Sequence, residues 1–168
     1  MYSLDEKGRF RYIGPQVERY GYISQELLGK TFEPLIHPED KAHTLKIFKD
    51  FLENGKEGSA QFRVISTSGE TRWCEVIYRP LIDANGSVCG VDGVARDITE
   101  LHRERDMNRS LIDFSPAFFV TTDPNLKIIQ VNKAFLAATG YTEAEVLGRD
   151  LINTFLSSGQ LDSLRDEF

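Results

Sequence analysis

Arg96-Asp97-Ile98-Thr99-Glu100 is where the chain changes character. Upstream, Ser87-Val88-Cys89-Gly90-Val91-Asp92-Gly93-Val94-Ala95 is rich in β-branched residues and glycine, which suits a strand packed closely against its neighbours. Downstream, Leu101 to Phe114 carries long charged side chains with spaced apolar ones and neither Gly nor Pro, so it is predicted to be helical. Asp97 with Glu100 three residues on has the capping-box pattern, in which the aspartate satisfies first-turn amides and the glutamate reaches back. A sheet is thereby expected to feed directly into a helix.

Working back from this joint, Ser59 to Ser66, Thr71 to Ile82 and Ser87 to Ile98 read as three strands, joined by Thr67-Ser68-Gly69-Glu70 and Asp83-Ala84-Asn85-Gly86. A helix is predicted from Pro38 to Asn54-Gly55, with the proline and acids of His37-Pro38-Glu39-Asp40 suited to its first turn. Before it, Ser24 is placed to cap Gln25 to Leu28 and Gly29 to end that turn. Tyr2-Ser3-Leu4 and Arg9 to Ile13 form a hairpin around Asp5-Glu6-Lys7-Gly8. The sum is an α+β domain with a five-stranded antiparallel sheet, short helices covering one face.

The pattern then returns. Asp5 to Ile13 matches Asp123 to Val131 at an offset of 118, and Gly21-Tyr22 and Leu28-Gly29 match Gly140-Tyr141 and Leu147-Gly148 at 119. A repeat this long means two copies of one domain, since a solenoid unit is only about 20–50 residues. The expected division is residues 1–99 as a complete domain, 100–114 as a linker helix, and 115–168 as the first part of a second copy. Ser157-Ser158-Gly159-Gln160-Leu161 stands where the second copy's long helix would begin, so the last three strands are expected in a longer parent protein.

Composition narrows the function. Forty per cent hydrophobic and 27% charged residues describe a globular domain, and no apolar run approaches the roughly 20 residues of a bilayer span. The net charge of −6 divides as −3 in residues 1–100 and −3 in 101–168, so there is no basic cluster to displace counterions from phosphates, and nucleic acid is set aside as a partner. Cys74 and Cys89 lack metal or disulfide spacing and read as buried thiols, which agrees with a cytoplasmic setting; membrane attachment would lie elsewhere in a parent protein.

Asp5-x-x-Gly8-Arg9-Phe10-Arg11-Tyr12-Ile13, Gly21-Tyr22, Leu28-Gly29, His37-Pro38-Glu39-Asp40, Arg72-Trp73 and Gly93 to Glu100 together resemble a bacterial PAS domain with its C-terminal Asp-Ile-Thr motif. The resemblance implies a non-catalytic sensory module that relays a signal through its terminal helix to an output domain, such as a histidine kinase or diguanylate cyclase. Arg96, Asp97, Ile98, Thr99 and Glu100 would carry that transmission. It also implies a small-molecule pocket between sheet and helices, lined by Phe32, Ile36, Phe48, Phe62, Val64, Trp73 and Ile77, with Glu75 and Arg63 as polar contacts. The same residues equally suit a plain core, which would make the chain a ligand-free dimerisation and relay module instead.

No cofactor is required by the sequence. PAS domains that bind flavin covalently carry a cysteine before the long helix, where Leu35-Ile36-His37-Pro38 stands here. Haem-binding relatives use a histidine on that helix, and His43 falls near its first turn, but helix entry with a solvent-facing histidine is the leading account of the segment. His37, Glu39 and Asp40 read as helix capping and not as a metal cluster, and His102 stands in a linker too short to be a phospho-acceptor domain. A homodimer is expected through the linker helix and the terminal segments, with Leu101, Arg105, Asn108 and Ile112 at 4-3-4 spacing as a weak coiled-coil seam.

Overall fold

The structure is a computed structural model that describes residues 1–155, so the reading of Ser157 to Leu161 lies outside the described residues. The chain divides into two compact units, Met1–Arg103 and Glu104–Phe168.

In the first unit, β1 (Tyr2–Asp5) and β2 (Phe10–Ile13) form the hairpin, followed by a 3₁₀ turn at Pro15–Tyr20, α1 (Ser24–Leu27) and a second 3₁₀ turn at Glu33–Leu35. Then come α2 (Pro38–Asn54), β3 (Gly58–Ile65), β4 (Thr71–Ile82) and β5 (Val88–Asp97). The strands make one antiparallel sheet in the order β2-β1-β5-β4-β3, so the first hairpin docks against the last strand. Asp5 and Asp83 shape their turns alike: Asp5 Oδ1 accepts from the amides of Lys7 and Arg9 at 2.9 and 2.8 Å, Asp83 Oδ1 from those of Asn85 and Ser87 at 2.8 and 2.9 Å.

The helices cover one face of the sheet, around a core of Leu4, Phe10, Val17, Leu27, Phe51 and Val91. Phe51 comes from α2, whose end is set by Gly55 at φ 60°, its amide donating to the Phe51 carbonyl at 2.8 Å. The Phe51 ring meets Tyr78 of β4 edge-on at 5.1 Å. Truncating such a buried ring to alanine costs about 3–5 kcal/mol, so α2 and the sheet stand or fall together. Ser24 does not cap α1. Ile23 holds the N-cap position, and the Ser24 hydroxyl is buried without a partner among the described residues.

β5 gives way to α3 (Thr99–Phe114) after one residue, Ile98. Asp97 does satisfy a first-turn amide, accepting from Thr99 N–H at 2.9 Å. The reciprocal half of the capping box is absent: Glu100 points to Arg103 instead, 3.7 Å away, because α3 begins at Thr99 and leaves Asp97 two positions outside it. Along α3 the expected seam is also displaced. Leu101, Arg105 and Asn108 are exposed but Ile112 is half-buried. Met107, Leu111 and Phe114, at 65%, 63% and 83% exposure, are the apolar residues left outward at 4-3 spacing.

The second unit repeats the turn and bridging hydrogen bonds of the opening. It contains β6 (Val120–Thr122), β7 (Ile128–Val131), α4 (Lys133–Thr139), α5 (Glu143–Val146) and α6 (Leu151–Phe155). Asp123 Oδ1 accepts from Asn125 and Lys127 at 2.8 and 2.9 Å, as Asp5 does 118 residues earlier. Gly148 N–H donates to Ile128 O as Gly29 N–H does to Phe10 O. Asn132 caps α4 and is fully buried; its Oδ1 accepts from Phe119 and Phe135, and its Nδ2 donates to the carbonyls of Ile112, Ser115 and Ala117.

Candidate functional site

A cavity of about 570 Å³ lies between the sheet and the helices of the first unit. That falls within the ~300–1,000 Å³ typical of small-molecule sites. Alternation along each strand decides what faces it. On β3, Ala60, Phe62 and Val64 line the cavity; from the helical side come Phe32, which meets Phe48 edge-on at 5.2 Å, and Ile36. Five of the expected residues, Phe32, Ile36, Phe48, Phe62 and Val64, are thus brought together.

The other three are not. In register β4 sets Cys74 opposite Phe62 and Val76 opposite Ala60, so Cys74, Val76 and Tyr78 face the cavity while Trp73, Glu75 and Ile77 occupy the outer face. Ile77 is 61% exposed, and Glu75 accepts a hydrogen bond from Gln61 Nε2 at 3.0 Å. β4 is apolar on both faces and carries charge on both, Arg72 on one and Glu75 and Arg79 on the other, so its pattern does not say which face is inward. Arg63, expected as a polar contact, is committed elsewhere. It pairs with Asp40 at 2.6 Å and Glu39 at 2.9 Å at the start of α2. Those two acids therefore anchor α2 to β3 as well as facing its dipole. His37 is the N-cap, with Nδ1 accepting weakly from Glu39 N–H at 3.4 Å.

Tyr2, Tyr20 and Cys74 are among the wall residues that the sequence reading did not pick out. Tyr2 reaches across the sheet over Gly93, its register partner, where a β-carbon would collide with the ring. Burial, then the neighbouring Cys74 and Tyr78, push the Tyr2 phenol well above its ordinary value, and burial pushes the Cys74 thiol up to about 12. Both are neutral at physiological pH. His43 is exposed and does not line the cavity; Thr44 does, so the chain offers no axial histidine to a haem there. Among the described residues no cluster of His, Cys, Asp and Glu could hold a metal ion.

At one end the wall is made by the joint itself. β1 pairs with β5 only as far as Tyr2 opposite Gly93, and β5 continues to Asp97 without a partner on that side. Val94 to Asp97 and Tyr20 line the cavity along this free edge. Arg72 reaches Asp97 at 3.4 Å and lies over the Tyr20 ring at 5.8 Å. Burial alone would raise the Asp97 pKa, but hydrogen bonds from Thr99, Tyr20 and Arg72 outweigh it and hold the carboxyl below its ordinary value. Tyr20 is shifted upward, by burial first and then by the Asp97 charge.

Trp73 grips the same joint from the sheet. Its backbone N–H donates to Thr99 Oγ1 at 3.0 Å and its carbonyl accepts from Ile98 N–H at 2.9 Å, while its ring stacks on His102 of α3 at 4.2 Å and 6°. Ile98 and Thr99 are buried by these contacts, at 4% and 8% exposure. Arg96 is exposed and stands opposite Glu75 on the outer face. Glu70 completes the network, bridging Arg72 at 2.9 Å and Arg103 at 3.5 Å.

Comparison with known proteins agrees with this anatomy. A PAS-fold family model matches residues 10–95 and a PAS-domain model residues 115–167. The biofilm dispersion protein BdlA of Pseudomonas aeruginosa is 29% identical over 129 residues, 75% of this chain and 31% of BdlA. The probable diguanylate cyclase DgcE of Escherichia coli is 26% identical over 135 residues, 74% of this chain and 12% of DgcE. Among solved structures, a sensory box histidine kinase/response regulator from Burkholderia thailandensis superimposes with a TM-score of 0.54 at 28% identity, covering 66% of this chain and 84% of that one. The N-terminal domain of a Marinobacter aquaeolei diguanylate cyclase with PAS/PAC sensor shares the fold, with a TM-score of 0.56 at 24% identity, covering 60% of this chain and 95% of that one. The chain spans only 10% to 31% of the length of the curated relatives it matches.

Proposed function

Because the chain belongs to the PAS domain family, we propose that its first domain is a sensor whose cavity, when occupied, resets the start of α3, and that α3 passes the change to an output domain of the whole protein. The observation that carries this reading is that cavity and joint share residues: Tyr20 and Asp97 line the one and hold the other. A ligand pressing on Tyr20 changes how Asp97 divides itself between Arg72 and the Thr99 amide. It shifts the balance of joint positions by no more than its difference in affinity for them. Catalysis belongs to the output domain, and the kinase and cyclase among the similar proteins support those two output types. Among the described residues no helix is long and apolar enough to cross a membrane, and two free cysteines suit a cytoplasmic setting.

The test is output activity of the full-length parent, with and without stimulus, in wild type, Tyr20→Phe and Asp97→Ala. Loss of the stimulus ratio in folded variants is the expected result. An unchanged ratio in both would reduce the joint to a spacer.

A second reading has its own support in the outward Met107, Leu111 and Phe114 of α3. A homodimer pairing these stripes would relay a signal sensed elsewhere with no ligand bound. Light scattering of the chain with Leu111→Glu separates the cases: dimer loss on substitution favours pairing through α3.

A further inference from the structure

We infer that the cavity of the first domain takes a neutral, mainly apolar ligand that presents one hydrogen-bonding group to the Tyr2 hydroxyl, and that it rejects anions. This rests on the sensory reading above and names the ligand class for the same cavity.

Charge is absent from the interior. Of the cavity's wall side chains only those of Arg19, Arg96 and Asp97 are formally charged. Arg96 is exposed opposite Glu75 at the end of β5, and Asp97 is paired with Arg72 and the Thr99 amide. Arg19 is exposed on the Pro15–Tyr20 turn, with the exposed Met1, Gln16 and Val94 also in the wall; exposed wall residues mark the mouth. An anion drawn inside would lose its hydration with no buried cation to replace it.

Polar capacity is present all the same. Among the described residues the Tyr2 and Tyr78 hydroxyls make no hydrogen bond, although Tyr22, in the same wall, donates to the Ile65 carbonyl at 2.7 Å. Neither Tyr2 nor Tyr78 is an orphan sealed in the core, since the buried side-chain polar atom without a partner is Ser24 Oγ. Both tyrosines line the cavity, the Tyr2 hydroxyl standing over Gly93 and the Tyr78 hydroxyl beside Gly58. Gly93 holds this arrangement by leaving room for the Tyr2 ring. The raised phenol and thiol of Tyr2 and Cys74 keep this part of the wall uncharged across the physiological range. The outcome is an apolar chamber with tyrosines in its wall and its charged side chains confined to the mouth and the joint.

Calorimetric titration of the 168-residue chain with 2-acetonaphthone and with 2-naphthoate at pH 7 tests this, alongside native mass spectrometry of the purified protein. The ketone is expected to bind at least about tenfold more tightly than the carboxylate. Tyr2→Phe should weaken the ketone by about fivefold, the equivalent of one ordinary hydrogen bond. Should Tyr2→Phe not fold, Tyr78→Phe with an unchanged melting curve takes its place. Equal or tighter binding of the naphthoate, lost in Arg19→Ala, would overturn the inference and leave the sensory reading intact. Unaltered ketone affinity in both tyrosine variants would remove the hydroxyl anchor. Binding of neither probe, with no small molecule co-purifying, would overturn the inference and the sensory reading together.

Discussion

Arg63 holds Asp40 through side chain and backbone at once: Nη2 donates to Oδ1 at 2.6 Å, Nε to Oδ2 at 3.0 Å, and the Arg63 amide to the same Oδ2 at 2.8 Å. The side-chain bonds from Arg63 lead the causes that hold the Asp40 carboxyl below its ordinary value of 3.8. A carboxyl depressed in the folded state stabilises fully above the unfolded pKa and loses that stability as pH falls through the folded one. Asp97 is depressed in the same direction. Stability of the first domain should therefore fall as pH drops below about 4, and Asp40→Asn should flatten that acid limb while lowering stability at pH 7. Urea midpoints measured across the acid range check both; an identical acid slope in the mutant would contradict the assignment.

Asp97→Ala removes the acceptor for the first free amide of α3 and leaves Arg72 to Glu70 alone. A lost cap costs about 0.5–2 kcal/mol, a fraction of the ~5–15 kcal/mol of an ordinary domain, so the fold should survive. Hydrogen exchange should show faster opening at Thr99 to Arg103 with little change in β3 and β4. Uniform acceleration across the sheet would mean that Asp97 supports the whole domain.

Asn132 serves five backbone groups from a fully buried position. Asn132→Ala strands two amides and three carbonyls, and each unsatisfied buried group costs about 1–3 kcal/mol. The second unit should lose at least about 2 kcal/mol after relaxation. Asn132→Asp should be worse, because a carboxylate cannot donate to the three carbonyls and turns like charge toward them. Loss of exchange protection at Phe119 and Phe135 is the signature to look for.

Leu126 adopts the left-handed conformation, φ 61°, at the turn position where the first unit uses Gly8, φ 71°. That conformation costs a residue with a β-carbon roughly 1–2 kcal/mol, of which glycine gives back part through the unfolded chain. Leu126 is 42% exposed and surrenders little contact, so Leu126→Gly should stabilise the second unit by about 0.5–1 kcal/mol. Gly8→Ala should do the reverse, since a β-carbon there also meets the Phe32 ring. Melting temperatures moving in opposite directions would bear out the pair.

Period, turn chemistry and repetition carried most of the architecture. The three long strands and α2 lie within a residue or two of their expected bounds, because Asp-Asn-Gly turns and the Pro38 and Asn54-Gly55 boundaries are local signals. The sidedness of β4 was not local. Trp73 and Ile77 are as apolar as Val76 and Tyr78, and the inward set is chosen by pairing with Phe62 and Ala60. Tyr20 was invisible for a different reason: it sits in a 3₁₀ turn without periodicity and meets Asp97 77 residues later. At the joint, the motif marked the right place but the helix began two residues after Asp97, which no propensity distinguishes.

Trp73 is the one tryptophan in the chain, and it stacks on His102 in the first turns of α3. The joint therefore carries a built-in optical reporter. Indole emission depends on what lies against the ring, so its intensity and colour register the His102 contact with no attached dye. His102→Ala should brighten and shift the spectrum while leaving far-ultraviolet dichroism nearly unchanged. Any stimulus that moves α3 against β4 can then be followed in real time, in the unmodified protein, at a single wavelength.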